Sequence, residues 1–394
     1  MKVDILADKI PSKKSSFLVA IFKKALKKRL NCIKNGRITV KEGSEVMLFG
    51  ELSSKNKVVV NIHSDEFYIF AGSGGSVGIA EAYVLGHWSS DNVVLLMRIF
   101  LKNRETLLNL EKGFAKFLNP INRMIHRKRK NTVLGSKKNI VAHYDLSNDF
   151  YKTWLDSTMT YSCGYFKDDS VTLKDASLEK LDRMCRKLKL SEDDSILEIG
   201  TGWGSFAMHA VKNYGCAVTT TTISDAQYEY AYSSFKKEGL ESKIKLVNKD
   251  YRELSGLYEK IVSIEMIEAV GHEFIPTFFK KISSLLKPNG MIGIQGITYN
   301  DHDFDRYKNS VDFIKKYIFP GSCLISVAQI VDVLKNKTDL SIVHMEDITR
   351  HYPKTLSRWR ENFLEVINEI KKMGYSHSFI KMWEFYLMFC EAGF

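Results

Sequence analysis

The sequence predicts an α/β protein in which a mainly parallel sheet carries helices on both faces and is preceded by a small α+β domain. Three observations point there. From Asn139 onward, short apolar runs alternate with helical patterns, the signature of a parallel sheet covered on both sides. One of those runs, Ser195 to Ile199, ends in the glycine turn Gly200-Thr201-Gly202-Trp203-Gly204 and then a helix. Ahead of Asn139 lie shorter β-like pieces, set apart by a basic, weakly hydrophobic stretch.

At 394 residues the chain is long enough for two domains and a large core. Its hydrophobic share of 44% and charged share of 26% are those of an ordinary globular protein. No apolar run approaches the roughly 20 residues that cross a bilayer. The N-terminus lacks a small-residue cleavage site, so no signal peptide is expected. Cys32, Cys163, Cys185, Cys216, Cys323 and Cys390 are scattered without metal-type pairs, which predicts reduced thiols and no metal site. A formal net charge of +12 favours an anionic partner, either nucleic acid or an acidic membrane surface.

Taken in order, the first domain is expected over 1–118. Between Lys13 and Arg29, Lys13, Lys14, Lys23, Lys24, Lys27 and Lys28 interleave with Leu18, Ile21, Phe22, Ala25 and Leu26 at helical spacing. Such a helix lies on an anionic leaflet, or packs on its own domain with a solvated basic face; the pattern serves both. Arg37 to Val40, Glu45 to Phe49 and Lys57 to Ile62 read as strands. The glycine-rich Ala71 to Ser76 reads as a tight turn before a helix, since it lacks the Gly-Lys-Ser/Thr ending of a phosphate loop. Helices follow over Asp91 to Lys102 and Arg104 to Leu118. The basic connector is expected over 119–139, and no nucleic-acid-binding signature surrounds it.

In the second domain, 140–394, strands are predicted at 196–199, Cys216 to Ile223, Lys243 to Asn248, Lys260 to Ile264, Met291 to Thr298 and Leu340 to Ile348. Helices are predicted from Ser205, over Asp225 to Lys237 and over Phe274 to Leu286, and Lys287-Pro288-Asn289-Gly290 is a turn signal. Ligands in open α/β sheets bind beyond the carboxyl ends of the strands. The pattern Glu198-x-Gly200-x-Gly202-x-Gly204 differs from a dinucleotide fingerprint in spacing and in its preceding acid. It suits a small adenosine ligand without a pyrophosphate, and S-adenosylmethionine is the candidate. Thr222 ends the second strand with Gln227 a turn later, where many methyltransferases place an acid.

The segments His143 to Tyr151, Tyr161 to Phe166, Leu197 to Gly204, Thr222 to Gln227, Glu265 to Gly271 and Tyr317 to Gly321 resemble the cyclopropane-fatty-acyl-phospholipid synthase family, in the family's order. Gly74 to Tyr83 extends the resemblance into the first domain. It implies a Rossmann-like class I methyltransferase domain behind a lipid-handling one. It also implies transfer of the S-adenosylmethionine methyl to a cis double bond of a phospholipid acyl chain, proton loss and closure of a cyclopropane ring. Cationic charge on the acyl chain calls for aromatic faces, for which Tyr144, Tyr161, Tyr165, Phe166, Trp203 and Tyr317 are available. The resemblance implies a bound bicarbonate held by Cys163, Glu268, Tyr352 and Gln295. The last stands where the family has a histidine, so it orients without titrating. For the cofactor, Tyr161 and Ser162 match the segment over the methionine portion. Glu198, the three glycines, Trp203, Thr222 and Gln227 complete the cleft, with Asp250 and Tyr251 near the adenine, although Asp250 equally suits a cap.

The expected partner is an unsaturated phospholipid in an anionic membrane, with the chain cytoplasmic and peripheral at the inner membrane face; a homodimer is left open. Alternatives are another acceptor (a branched acyl product or a small amine) and an impaired lipid-binding relative. The last follows from the C-terminus. No β-like segment follows the helix ending near Cys390, so the sheet is expected to lack its last strand and to leave 340–348 without a partner.

Overall fold

The computed structural model describes residues 16–104, 131–132, 135–136 and 146–394. The expected helix beyond Arg104, Lys13, Lys14, Tyr144 and most of the basic connector lie outside the described residues. The chain forms two compact units. The first contains 16–104, Val311–Lys316 and Tyr352–Phe394; the second contains the described part of 131–310 and Tyr317–His351. Residues 352–394, assigned from the sequence to the second domain, thus cluster with the first.

In the first unit, α1 (Ser16–Leu30) precedes the strands β1 (Arg37–Glu42), β2 (Glu45–Gly50) and β3 (Lys57–Ile62). After α2 (Glu66–Val84) come β4 (Trp88–Ser90) and α3 (Val93–Lys102). The sheet order is β2-β1-β3-β4, with β1 and β3 parallel and the outer pairs antiparallel. Alternation in β1 and β3 buries Ile38, Val40, Val58, Val60 and Ile62 on one face. Helix His377–Gly393 contributes Phe385, whose ring lies 5.3 Å from that of Tyr83 and 5.0 Å from that of Phe313. Buried Glu81 is paired with Lys316 at 2.7 Å.

The basic helix packs on its own unit. Phe22 and Leu30 of α1 are buried, and Lys23 reaches Glu42 at 2.6 Å while Lys27 reaches Glu45 at 2.8 Å. Lys24 and Lys28 are exposed.

One local expectation does not hold. The glycines at 72–75 do not form a turn before a helix but lie within α2, which kinks at Gly75 (φ 58°, ψ −134°), a conformation closed to a side chain. The kink folds one half of the helix onto the other, so a Cβ on Gly78 would fall 1.9 Å from the Phe70 carbonyl oxygen.

The second unit begins its described structure with α4 (Asn148–Trp154) and α5 (Leu173–Leu188). Strands β5 (Ser195–Ile199), β6 (Ala217–Thr222), β7 (Ile244–Asn248), β8 (Tyr258–Ile264) and β9 (Leu286–Gln295) form an all-parallel sheet in the order β7-β6-β5-β8-β9. The crossovers include α6 (Ser205–Tyr214), α7 (Asp225–Lys237), the short α8 (Ile267–Val270) and α9 (Ile275–Ser284); α10 (Val327–Lys337) follows the sheet. Period-two alternation distributes the strands between two cores. Ile196, Val218 and Val262 meet Leu181, Phe206 and Phe235 on one face. Leu197, Ile199 and Ile261 meet Phe278, Ile282 and Val333 on the other. The strand order reverses between β5 and β8, which makes their carboxyl ends the switch point where such sheets bind ligands.

The far edge departs from expectation. Lys287 to Gly290 is a bulge inside β9, where Asn289 takes a left-handed φ of 62° and the register slips between Tyr258 and Lys260. The strand stops at Gln295, and Thr298 makes only an isolated bridge to Ile325. Leu340 to Ile348, expected as a sixth strand, pairs with no strand among the described residues, and Ile342, Val343 and Met345 are exposed. Apolar alternation there lacks the neighbour that turns a β-prone segment into a strand.

The kink generates a paired expectation. Gly78→Ala should destabilise the protein by roughly 1–3 kcal/mol or more, because backbone must shift. Gly74→Ala, whose added Cβ meets nothing within 4 Å, should stabilise it by about 0.5–1 kcal/mol. Urea unfolding of both variants checks the pair, and equal effects would remove the folded-back kink.

Candidate active site

The cleft starts at the glycine turn. Gly200, Gly202 and Gly204 take φ values of 100°, 54° and 93°, a backbone path that L side chains resist. The Gly200 and Thr201 N–H groups donate to Thr221 O at 3.1 and 2.9 Å, tying the turn to the end of β6. Beneath it Glu198 is buried and accepts from Thr220 Oγ1 at 2.6 Å, while Thr220 meets Thr201 Oγ1 at 2.7 Å. Burial pushes the Glu198 carboxyl up to about 8, against the opposing hydrogen bond from Thr220 and the charge of Lys180.

An aromatic wall stands over the turn. Trp203 donates through Nε1 to Asn148 Oδ1 at 2.8 Å, and its ring lies 4.9 Å from that of Tyr151. Tyr151 and Trp154 in turn lie 5.5 and 5.6 Å from Tyr161. At the end of β6, Thr222 donates to Gln227 Oε1 at 2.9 Å, and Ser224 caps α7 by accepting from Gln227 N at 3.3 Å.

Asp250 caps the turn after β7 and holds Arg252 through two oxygens at 2.7 Å each, so its carboxylate is committed to the fold. Tyr251 is different. Its ring packs edge-on to Phe278 at 5.4 Å, and its buried hydroxyl has no hydrogen-bond partner. Burial pushes that hydroxyl up to about 12, which leaves it a neutral donor for a ligand.

The second cluster lies at the carboxyl ends of β8 and β9. Glu268 on α8 accepts from Ile297 N through Oε1, while its buried Oε2 has no partner. Burial, then the charge of Glu265, pushes the Glu268 carboxyl up to about 8. Gln295 donates from Nε2 to Glu265 Oε1 at 2.9 Å and lies 3.5 Å from Cys163 O. Both neighbours are acceptors, which fixes the orientation of the amide. Cys163 is buried; its N–H donates to Glu265 Oε1 at 2.9 Å, and its thiol donates to Gly164 O at 3.3 Å. Ser162, one residue earlier, accepts from Lys180 Nζ at 2.6 Å.

Cys163, Glu268 and Gln295 all belong to this unit. Tyr352 belongs to the first unit, where its ring stacks on Phe394 at 4.2 Å.

Two residues of the cluster were not singled out by sequence reasoning. Glu265 opens the Glu265 to Gly271 motif, but nothing local announces its left-handed φ of 48°. Lys180 was legible: in α5 it shares the apolar periodicity of Leu173, Ala176, Ser177 and Leu181, all buried. Burial pulls its ammonium down to about 8, with the charge of Glu265 the largest opposing influence.

Comparison with known proteins gives this geometry its setting. The family model for mycolic acid cyclopropane synthetase matches residues 132–394, well over half of the chain. The chain belongs to this family. It is a methyltransferase of the cyclopropane-synthase type. It is 31% identical over 379 residues to the cyclopropane-fatty-acyl-phospholipid synthase of Escherichia coli, covering 92% of this chain and 93% of that protein. It is 33% identical over 330 residues to the tuberculostearic acid methyltransferase of Mycobacterium tuberculosis, covering 82% and 77% of the two chains. Among solved structures, a mycolic acid cyclopropane synthase complexed with S-adenosylhomocysteine matches with a TM-score of 0.60 and 28% identity, covering 65% of this chain and 92% of that one. The synthetase-family sheet is therefore the class I methyltransferase fold, and the glycine turn and the Glu265–Glu268 cluster stand at its switch point.

The raised carboxyl of Glu268 has a consequence for stability. Between about pH 4.5 and 8 the folded protein holds a proton on Glu268 that the unfolded chain has released. The stability this contributes is fully present below the unfolded value and is lost as pH rises through the folded one. Glu268→Gln, neutral at every pH, removes the effect. The urea midpoint of the native protein should therefore fall relative to the variant from pH 5 to 8, by at most about 1.4 kcal/mol per pH unit. Parallel pH profiles would mean that Glu268 is ionised in the fold.

Proposed function

We propose that the protein methylates the double bond of an unsaturated lipid acyl chain, with S-adenosylmethionine as methyl donor, and closes a cyclopropane ring. The observation that carries this reading is the run of three positive-φ glycines at the switch point, beside a second cluster in which buried Glu268 neighbours half-buried Glu265. Gly200, Gly202 and Gly204 let the cofactor approach the main chain, with Glu198, Tyr161, Ser162, Trp203, Thr222 and Gln227 around it. The Tyr251 hydroxyl is the group in this half of the cleft that awaits a partner.

The alkene π electrons form a bond to the methyl carbon while the carbon–sulfur bond breaks, and sulfur keeps that electron pair as a neutral thioether. A weak nucleophile needs such alignment in a dry site. Positive charge then rests on the acyl chain near the aromatic rings, which stabilise it. Loss of one proton from the transferred methyl group lets its electron pair close the ring. Glu268, kept protonated by burial, contributes a polar group without a second negative charge.

Bicarbonate, which the resemblance adds, does not fit the donor set. Of the residues assigned to it, Cys163 and Gln295 already give N–H groups to Glu265, and Glu268 sets a second carboxyl beside them. Bicarbonate therefore has no part in the proposed reaction. Tyr352 stays a candidate on the resemblance alone.

A phospholipid substrate implies work at a membrane surface. No helix among the described residues is long and apolar enough to cross one. Among the lysines of α1, Lys24 and Lys28 are exposed and can face an anionic leaflet, whereas Lys23 and Lys27 are engaged by Glu42 and Glu45.

Methyl-labelled S-adenosylmethionine and vesicles of unsaturated phospholipid test the reaction. A lipid one methylene heavier without its double bond is expected; a heavier lipid that keeps a double bond would mean a branched product instead. Label transferred to a soluble amine and not to lipid would overturn the reading. For the surface, Lys24→Gln with Lys28→Gln should weaken sedimentation with anionic vesicles by roughly thirtyfold at low salt, at about 1 kcal/mol per cation. Lys23→Gln with Lys27→Gln should chiefly lower thermal stability. Identical vesicle binding by both double variants would remove α1 from the contact.

A further inference from the structure

Glu265 occupies two of the residues that the resemblance assigns to a bound bicarbonate, Cys163 and Gln295. Its Oε1 accepts from Cys163 N and from Gln295 Nε2, both at 2.9 Å, while its own N–H donates to Gln295 O at 2.7 Å. The residue is thus clamped between the Tyr161-Ser162-Cys163 segment and the end of β9. It is held in the left-handed region at φ 48°, which a glutamate does not adopt without cause. Strain of this kind points to a side chain kept in place for use. A carboxylate and a bicarbonate present the same planar pair of oxygens to such donors.

The neighbours suit a base. Glu265 is half-buried, whereas Glu268 is buried. The Lys180 ammonium lies close by, 2.6 Å from the hydroxyl of Ser162, and offsets negative charge in the cluster. Gln295, pinned by two acceptors, orients the carboxylate but cannot take a proton itself.

We infer that the Glu265 carboxylate replaces a bound anion as the base that removes the proton from the transferred methyl group. This inference rests on the reading of the chain as a lipid C-methyltransferase. In the step, one methyl C–H bond breaks and its proton bonds to a Glu265 oxygen. The C–H electron pair forms the third side of the ring at the cationic carbon. The neutral Glu265 carboxyl then returns its proton to water after the product leaves. No oxidant, reductant or further anion is consumed.

The test uses the full-length protein in carbon-dioxide-free buffer, with unsaturated phospholipid vesicles and labelled S-adenosylmethionine. The native protein should turn over equally with and without added bicarbonate. Glu265→Gln, which keeps the shape but is not a base, should lose about 10²–10⁴-fold in turnover. Glu265→Gly releases strain at a left-handed position but vacates both donors, two effects that oppose one another, so it should fold with a stability close to that of the native chain. That glycine variant should be inactive alone and regain activity with millimolar bicarbonate or formate. Binding of carbon-13-labelled bicarbonate followed by NMR is the independent readout: saturable in the glycine variant and absent in the native protein. Binding of S-adenosylhomocysteine by calorimetry should be preserved in both variants.

Saturable bicarbonate binding by the native protein, or loss of its activity when bicarbonate is removed, would overturn the inference while leaving methyl transfer to lipid standing. Near-native turnover by the glutamine variant would do the same. Failure of the native protein to methylate any lipid would overturn both.

Discussion

The dry edge at the carboxyl ends of β5 and β8 is the constraint on which the rest of the second unit depends. Glu198 and Glu268 are both buried there, and Lys180 is buried beside them. Isolated charges in such a place cost several kcal/mol each, and the protein avoids most of that cost by protonation and hydrogen bonding. Thr220 donates to Glu198, Ile297 N donates to Glu268, and Lys180 donates to Ser162. Thr220 lies on β6, whereas Ile297 and Ser162 lie in loops beyond the strands, so these loops and the sheet must be in place together for the cluster to be satisfied. The cluster and the sheet therefore specify one another.

That arrangement also fits the charge changes of the proposed reaction. A sulfonium brings positive charge to the glycine turn, methyl transfer moves it to carbon, and proton loss finally disposes of it. An edge where Glu198 and Glu268 are held near 8 by burial can accommodate such changes without a fixed surplus of negative charge. Tyr151, Trp154 and Trp203 are buried and pack behind the half-buried Tyr161, whose ring is the one of the four open to attract a cation.

Much of this architecture was legible because it depends on local pattern. Strands β5 to β8 are short runs rich in apolar and β-branched residues, with turn residues at their ends. The helix Asp225–Lys237 has the expected bounds because Ser224 caps it and Gly239 follows it at a φ of 66°. What escaped depends on distant partners. Strand β4 is three residues long and exists through its pairing with β3. Asn289 supplies the left-handed residue that either a turn or a bulge needs, and only pairing with β8 selects the bulge. The glycines of α2 permit a turn or a kink, and the packing of Phe22 against Gly72 selects a helix close to α1. For the site, the motifs identified Cys163, Glu268 and Gln295, but not the carboxylate that joins two of them.

Glu265 shows why that last feature was out of reach. A left-handed conformation costs a non-glycine residue about 1–2 kcal/mol, so local propensity argues against a glutamate there. Glycine would remove the strain but leave the Cys163 N–H and the Gln295 amide without their acceptor. Leaving a buried donor unsatisfied costs about 1–3 kcal/mol, comparable to the strain itself. Both donors are only partly buried, and water or a small anion in the space left by a glycine would satisfy them, so the balance is close and the fold alone does not decide between the two residues. Stability being nearly indifferent, chemistry is the term left to distinguish them. A tethered carboxylate is always present, at a fixed distance from its donors, whereas a diffusible anion must be captured and held.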